Sequence, residues 1–97
     1  VNMKAYWIVR RHIFNPEKYA KNINMAGPVI KKYQGTLLSK GGRQEEKEGS
    51  GYERTVLIEF SSYEEELFCY NSDEYQEALE YVKNSADRLV VIVEGLD

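Results

Sequence analysis

The segment Arg54–Phe60, RTVLIEF, decides the fold. Val56, Ile58 and Phe60 alternate with Thr55, Leu57 and Glu59, the period-two pattern of a β-strand whose side chains point to opposite faces. Both faces carry an aliphatic residue, so neither reads as fully solvated. A carboxylate, Glu59, stands one residue before the strand ends. The strand needs cover on two sides, and the rest of the chain has to supply it.

The 97 residues suit one domain spanning 1–97, with no room for a second core. A net charge of -3 argues against a nucleic-acid binder, which needs a basic face. The longest apolar runs, such as LVVIV at 89–93, are too short to span a bilayer, so no membrane association is expected. Cys69 is the single cysteine, which excludes an internal disulfide and fits a reducing compartment. The expected location is cytoplasmic.

Upstream, KAYWIVRRHIF at 4–14 is extended and free of breakers. Asn15-Pro16-Glu17 starts a helix, with Asn15 as cap and Pro16 in the first turn. Tyr19, Ile23, Ala26, Ile30 and Tyr33 then form an apolar stripe at helical spacing. Gly27-Pro28 predicts a kink or break within it, and Gly35 a left-handed cap at its end. TLLSK at 36–40 is a second strand, and the polar, glycine-containing 43–53 reads as the mobile end of a long hairpin. Downstream, Ser62 with Glu65 makes a capping box, and Glu64 to Glu66 favour the positive helix end. Asn71-Ser72 interrupts this helix, Ser72 recaps it, and RLVVIVEG at 88–95 is the last strand.

The order β-α-β-β-α-β predicts an α+β, ferredoxin-like sandwich: a four-stranded antiparallel sheet with both helices on one face. Strands one and three are expected to be central and parallel. The second sheet face would present Tyr6 and Ile8, Leu57, and either Val90 and Ile92 or the alternate residues of the last strand. An apolar face of several hundred Å² calls for a partner, and a symmetric homodimer is the economical one. Parity places Arg10 and His12 with Tyr6. Parallel pairing would bring Glu59 alongside them as a polar patch inside the dimer.

Several pieces together carry a family resemblance: KAYWIV with NPEKY, GPVIKKYQGTLLSKGG, RTVLIEF followed by SSYEE, SDEYQEAL and the terminal LVVIVEG. The chain resembles the domain-of-unknown-function 1330 family of the dimeric α/β-barrel superfamily over essentially its whole length. The resemblance implies protomers paired sheet to sheet, with a cavity between sheet and helices or inside the barrel. It also implies a superfamily of cofactor-free monooxygenases, isomerases, haem-handling enzymes and stress-responsive proteins. Glu59 falls at the family's IEF position, Gly41 and Gly42 at its double glycine, and Tyr75 at the tyrosine of its S-x-E-Y-Q motif. His12 and Arg10 depart from the short polar or acidic residues usual there, and GSGYER replaces a tryptophan-containing hairpin.

The resulting expectation is a small molecule bound or converted without a cofactor. His12 would be the general base, oriented by Glu59, and Arg10 the contact for an anionic substrate. Tyr6, Arg54 and Tyr75 complete the candidate binding residues, the Tyr6 hydroxyl as donor to an oxyanion. The competing expectation is a non-catalytic structural or stress-related homodimer in which these charges form an ion-pair plug at the interface. No zinc or calcium ligand spacing occurs, so no metal is expected. Cys69, beside Phe68, reads as packing.

Overall fold

The computed structural model describes residues 3–96. The elements are β1 (Ala5–Ile13), α1 (Pro16–Lys32), β2 (Thr36–Lys40), β3 (Arg54–Phe60), α2 (Tyr63–Asn71), α3 (Asp73–Ala78), a 3-10 turn (Leu79–Tyr81) and β4 (Ala86–Glu94). The strands form one sheet in the order β2-β3-β1-β4, and each neighbouring pair is antiparallel. This is the expected α+β arrangement, with β1 and β3 at the centre. No helix among the described residues is long and apolar enough to cross a membrane.

The expectation that β1 and β3 run parallel is corrected. The α1 crossover returns β2 in the direction of β1 but two places away. The β2–β3 connection then reverses the chain, so β3 enters the gap antiparallel to both. Tyr6 therefore faces Glu59, Ile8 faces Leu57 and Arg10 faces Thr55.

Local signals account for most element boundaries. Asn15 Oδ1 accepts the Lys18 N–H (3.2 Å), Ser62 Oγ that of Glu65 (3.1 Å) and Ser72 Oγ that of Tyr75 (3.2 Å), each satisfying a donor that a helix start leaves free. The predicted break at Gly27-Pro28 does not occur, and α1 runs through Pro28 to Lys32. Pro28 frees the carbonyl of Asn24, but both residues are exposed, so water can bond that oxygen. Gln34, not Gly35, takes the left-handed conformation after α1 (φ 65). Its N–H donates to Lys31 and that of Gly35 to Ile30, a Schellman closure. Gly35 is needed for close approach instead, since a Cβ there would sit 2.7 Å from Ile30 Cγ2 and 2.8 Å from Phe60 Cζ.

The core lies between the sheet and the helices. Ala5, Trp7 and Val9 of β1 and Val56, Ile58 and Phe60 of β3 are buried there. Trp7 stacks on Phe60 (centroids 6.0 Å apart) and meets Tyr75 (4.9 Å) and Tyr70 (5.5 Å) edge-on. Truncating a buried aromatic of this size costs about 3–5 kcal/mol. On α1 the buried residues are Tyr19, Asn22, Ala26 and Val29, so the apolar stripe is displaced from its expected line. Asn22 is tolerated inside because its Nδ2 donates to the Ala78 carbonyl (2.8 Å).

The acidic run stands in the first turn of α2, as expected from the sequence, but it is not wholly solvated. Glu64 and Glu65 are exposed, but Glu66 is fully buried and neither of its carboxyl oxygens has a hydrogen-bond partner. Burial pushes its pKa up to about 7. Cys69 is also fully buried. Burial, then the Glu66 charge, pushes its thiol up to about 12, so it packs and does not react. The segment expected to be a mobile hairpin end is tied down. Glu46 accepts from Arg10 Nη2 (2.9 Å) and the Tyr52 N–H (3.0 Å), and Gln44 Nε2 donates to the Tyr52 carbonyl (3.0 Å).

The helices leave the other sheet face open. Ile8 lies between Leu57 and Val91 in register, and Leu89, Val91 and Val93 are 50%, 53% and 44% exposed. The second-face residues of β4 are thus Leu89, Val91 and Val93, while Val90 and Ile92 pack against the core.

Candidate functional site

Tyr6, Arg10, His12 and Glu59 share the open face, as strand parity requires. They do not share a site. Glu59 faces Tyr6, and His12 lies six residues further along β1, about 20 Å away at a rise of roughly 3.3 Å per residue. Glu59 pairs at one end of the face, and Arg10 and His12 pair separately toward the other. Glu59 accepts from Lys4 Nζ (3.2 Å), Arg10 pairs with Glu46 (2.9 Å), and His12 Nδ1 meets Glu53 Oε1 at 2.8 Å. The His12 hydrogen bond holds the Glu53 carboxyl below its ordinary range. Within one protomer the expected Arg10, His12 and Glu59 patch is not assembled, because antiparallel pairing sends Glu59 to the far end of β1. Arg54 and Tyr75 belong to the opposite, helix-covered side.

That side holds a cavity of about 130 Å³ between the sheet and α1. Its walls include Trp7, Tyr19, Tyr75, Ala26 and Ile58, with Arg11 and Arg88 at one end. Two features of the sequence shape it. Gly27 and Ala26 give α1 a thin inner surface, and a Cβ on Gly27 would touch nothing within 4 Å. β2 is interrupted by a bulge between Leu37 and Ser39. Ile23 and Leu37, both lining the cavity, are 39% and 49% exposed and mark its mouth.

The polar end joins Tyr75, a candidate binding residue from the sequence, to Tyr19, Arg11 and Arg88, which were not among the candidates. Arg11 Nη1 (3.0 Å) and Arg88 Nη1 (3.2 Å) both donate to Tyr19 Oη, and Arg88 Nη2 donates to Tyr75 Oη (3.2 Å). The Arg11 guanidinium also lies 5.1 Å from the centre of the Tyr19 ring. Burial raises the Tyr75 pKa, outweighing the Arg88 charge that lowers it, so Tyr75 is a neutral phenol at physiological pH. Arg11 Nε and Trp7 Nε1 are buried with no hydrogen-bond partner. The two guanidinium groups make that end rich in donors. No Asp, Glu or His is among the lining residues, and among the described residues no group of three or more His, Cys, Asp or Glu side chains could hold a metal.

Sequence did carry a signal for these residues. Arg11 continues the phase of Trp7 and Val9, and Arg88 that of Val90 and Ile92, so both are charges at core-facing positions. Such positions are rare for arginine unless something accepts the charge.

Comparison with solved structures gives the fold and little else, since identities are low. A protein of unknown function from Rhodopseudomonas palustris superposes with a TM-score of 0.81 at 14% identity, covering 100% of this chain and 85% of that one. The cofactor-independent oxygenase SnoaB from Streptomyces nogalater superposes at 0.66 with 7% identity, covering 98% and 95%. A protein from Bacteroides fragilis described as dimeric, of unknown function and with a ferredoxin-like fold, superposes at 0.56 with 14% identity, covering 95% and 96%. No curated protein matches the sequence. The family model described as "Domain of unknown function (DUF1330)" matches residues 4–96, and the chain belongs to that family.

Proposed function

We propose that the protein is a homodimer in which each protomer holds a small molecule, without a cofactor, in the cavity between the sheet and α1. The cavity of about 130 Å³, apolar along its walls and donor-rich at one end, is the observation that carries this reading. Ligand sites combine apolar walls with a few convergent polar groups in this way. Its donors suit stabilising negative charge on a bound molecule, and it has no base of its own, because His12 lies on the other face. The likeness to a cofactor-independent oxygenase supports chemistry supplied by the bound molecule itself.

The open face supports the dimer. Its central row, Leu57, Ile8 and Val91, is aliphatic across three strands, and solved neighbours are described as dimeric. Arg10, His12 and Glu59 then sit at the ends of the interface as locally paired charges, which is the interface part of the second expectation drawn from the sequence. A stable interface buries roughly 1,200–2,000 Å² in total. Native mass spectrometry of the purified protein tests both parts. The expected species is twice the 11.3 kDa chain plus a small mass lost on denaturation. A bare monomer would overturn the reading, and a bare dimer would leave the structural homodimer in its place.

A further inference from the structure

Resting on the cavity reading above, we infer that the ligand is a single-ring carboxylate, its anionic group held at Arg11 and Arg88 and its ring against Trp7 and Tyr75. The first argument is an unbalanced row of charge. Arg54, Arg11 and Arg88 are directly paired across β3, β1 and β4, on the helix-covered side of the sheet. Side chains so paired have Cβ atoms about 5 Å apart, and like charges there repel. Among the described residues the ion pairs join Lys4, Arg10, His12, Lys32, Lys47 and Lys83 to carboxylates, and none involves the row. The chain has 16 acidic residues against 13 Lys and Arg, so the row does not lack partners for want of carboxylates. Glu53, next to Arg54, feels its charge but bonds His12. The phenol oxygens that Arg11 and Arg88 do reach carry no formal charge.

The second argument is the pair of unused donors. Arg11 Nε and Trp7 Nε1 are buried without acceptors, each at a desolvation cost that an accepting oxygen would relieve. Guanidinium forks match a carboxylate in plane and spacing better than they match a single oxygen. Size is the third. An apolar cavity of about 150 Å³ takes up benzene, so about 130 Å³ suits one ring. The edges and faces of Trp7 and Tyr75 favour an aromatic ring over an alkyl chain. The exposed Lys40 lines the cavity and the exposed Arg54 pairs with Arg11, and both extend the positive charge that would draw anions in.

Trp7 is the sole tryptophan and lines the cavity, so its fluorescence reports occupancy directly. The test titrates the intact protein, freed of bound molecules by refolding, with benzoate, its neutral isostere benzamide, and acetate. Benzoate is expected to quench Trp7 saturably, with benzamide and acetate at least tenfold weaker. Arg88→Gln and Arg11→Gln should each weaken benzoate at least tenfold and leave benzamide unchanged. Should either variant fail to fold, the parent's thermal midpoint decides: it must rise with benzoate and not with benzamide. Benzamide binding as tightly as benzoate would overturn the carboxylate and leave the cavity reading standing. Acetate matching benzoate would overturn the ring. No response of Trp7 to any probe overturns this inference, whereas the cavity reading falls only if the native protein also carries no small mass.

Discussion

The two faces of the sheet are incomplete in opposite ways. On the open face the cations are paired, with Lys4, Arg10 and His12 each bonded to a carboxylate, while Leu89, Val91 and Val93 are left half-exposed. On the covered face the apolar residues are buried, while Arg11 and Arg88 have no carboxylate among the described ion pairs. Exposed apolar area asks for a protein surface, which is large and needs no charge. Half-buried cations that line a small cavity without a carboxylate partner ask for a small anion. Under the proposed function, the same sheet would separate assembly from ligand binding, one on each side.

The largest effect is expected from attacking the open face. Leu57→Asp places a charge in the middle of the Leu57, Ile8 and Val91 row. Burying an unpaired carboxylate at an interface costs several kcal/mol, enough to abolish a micromolar dimer. Sedimentation at micromolar concentration should show monomers or aggregates. Lys47→Gln, a change in the exposed loop, should leave the dimer unaltered. A Leu57→Asp protein that sediments like the parent would show that this face is not the interface.

The open face was legible in sequence because alternation alone assigns residues to sides, and Tyr6, Ile8 and Leu57 fall where parity puts them. The order of elements was legible for a similar reason: Asn15, Ser62 and Ser72 act through their nearest backbone neighbours. Strand direction was not. It depends on which strand the hairpin inserts beside β1, a choice made by packing of the whole layer, and it alone moved Glu59 away from His12. Pro28 does not end the helix because the carbonyl it frees, that of exposed Asn24, is open to water. Arg11 and Arg88 were visible as charges in a core phase, but their convergence on Tyr19 needs three elements to meet.

Glu66 sharpens the contrast from the covered side. It is a fully buried acid on α2 that could have balanced an arginine, yet its oxygens are unpartnered and it is absent from the cavity wall. Its pKa is about 7 in the folded chain against an ordinary 4.5, so the folded state holds the proton more tightly than the unfolded one. The group's contribution is fully present below pH 4.5, declines as pH rises to about 7, and is level above that. The decline amounts to at most about 3 kcal/mol for a shift of this size. Urea unfolding at fixed protein concentration across this range should show the slope, and Glu66→Leu should flatten it and stabilise the protein by about 1–3 kcal/mol at pH 8. An undiminished slope in the Leu variant would assign the pH dependence elsewhere.

The smallest effect is the most direct comparison, because it removes one surface charge from each face and expects opposite signs. Glu59→Gln on the open face takes the partner from Lys4 and should cost about 0.5 kcal/mol, the usual worth of an exposed pair. Arg54→Gln on the covered face removes a charge directly opposite Arg11, where like charges oppose folding. Arg54 is exposed and screened, so the expected gain for the ligand-free protein is only about 0.5 kcal/mol at low salt. Its side chain lies against Gly41, within 3.0 Å of where a Cβ would be, and the shorter Gln gives up some of that contact, which trims the gain further. Raising salt to 1 M shortens the screening length to about 3 Å and should erase both effects together. Thermal unfolding of the two variants at low and high salt measures this. If Arg54→Gln destabilises the ligand-free protein at low salt, a carboxylate already balances the row, and the two faces are not incomplete in opposite ways.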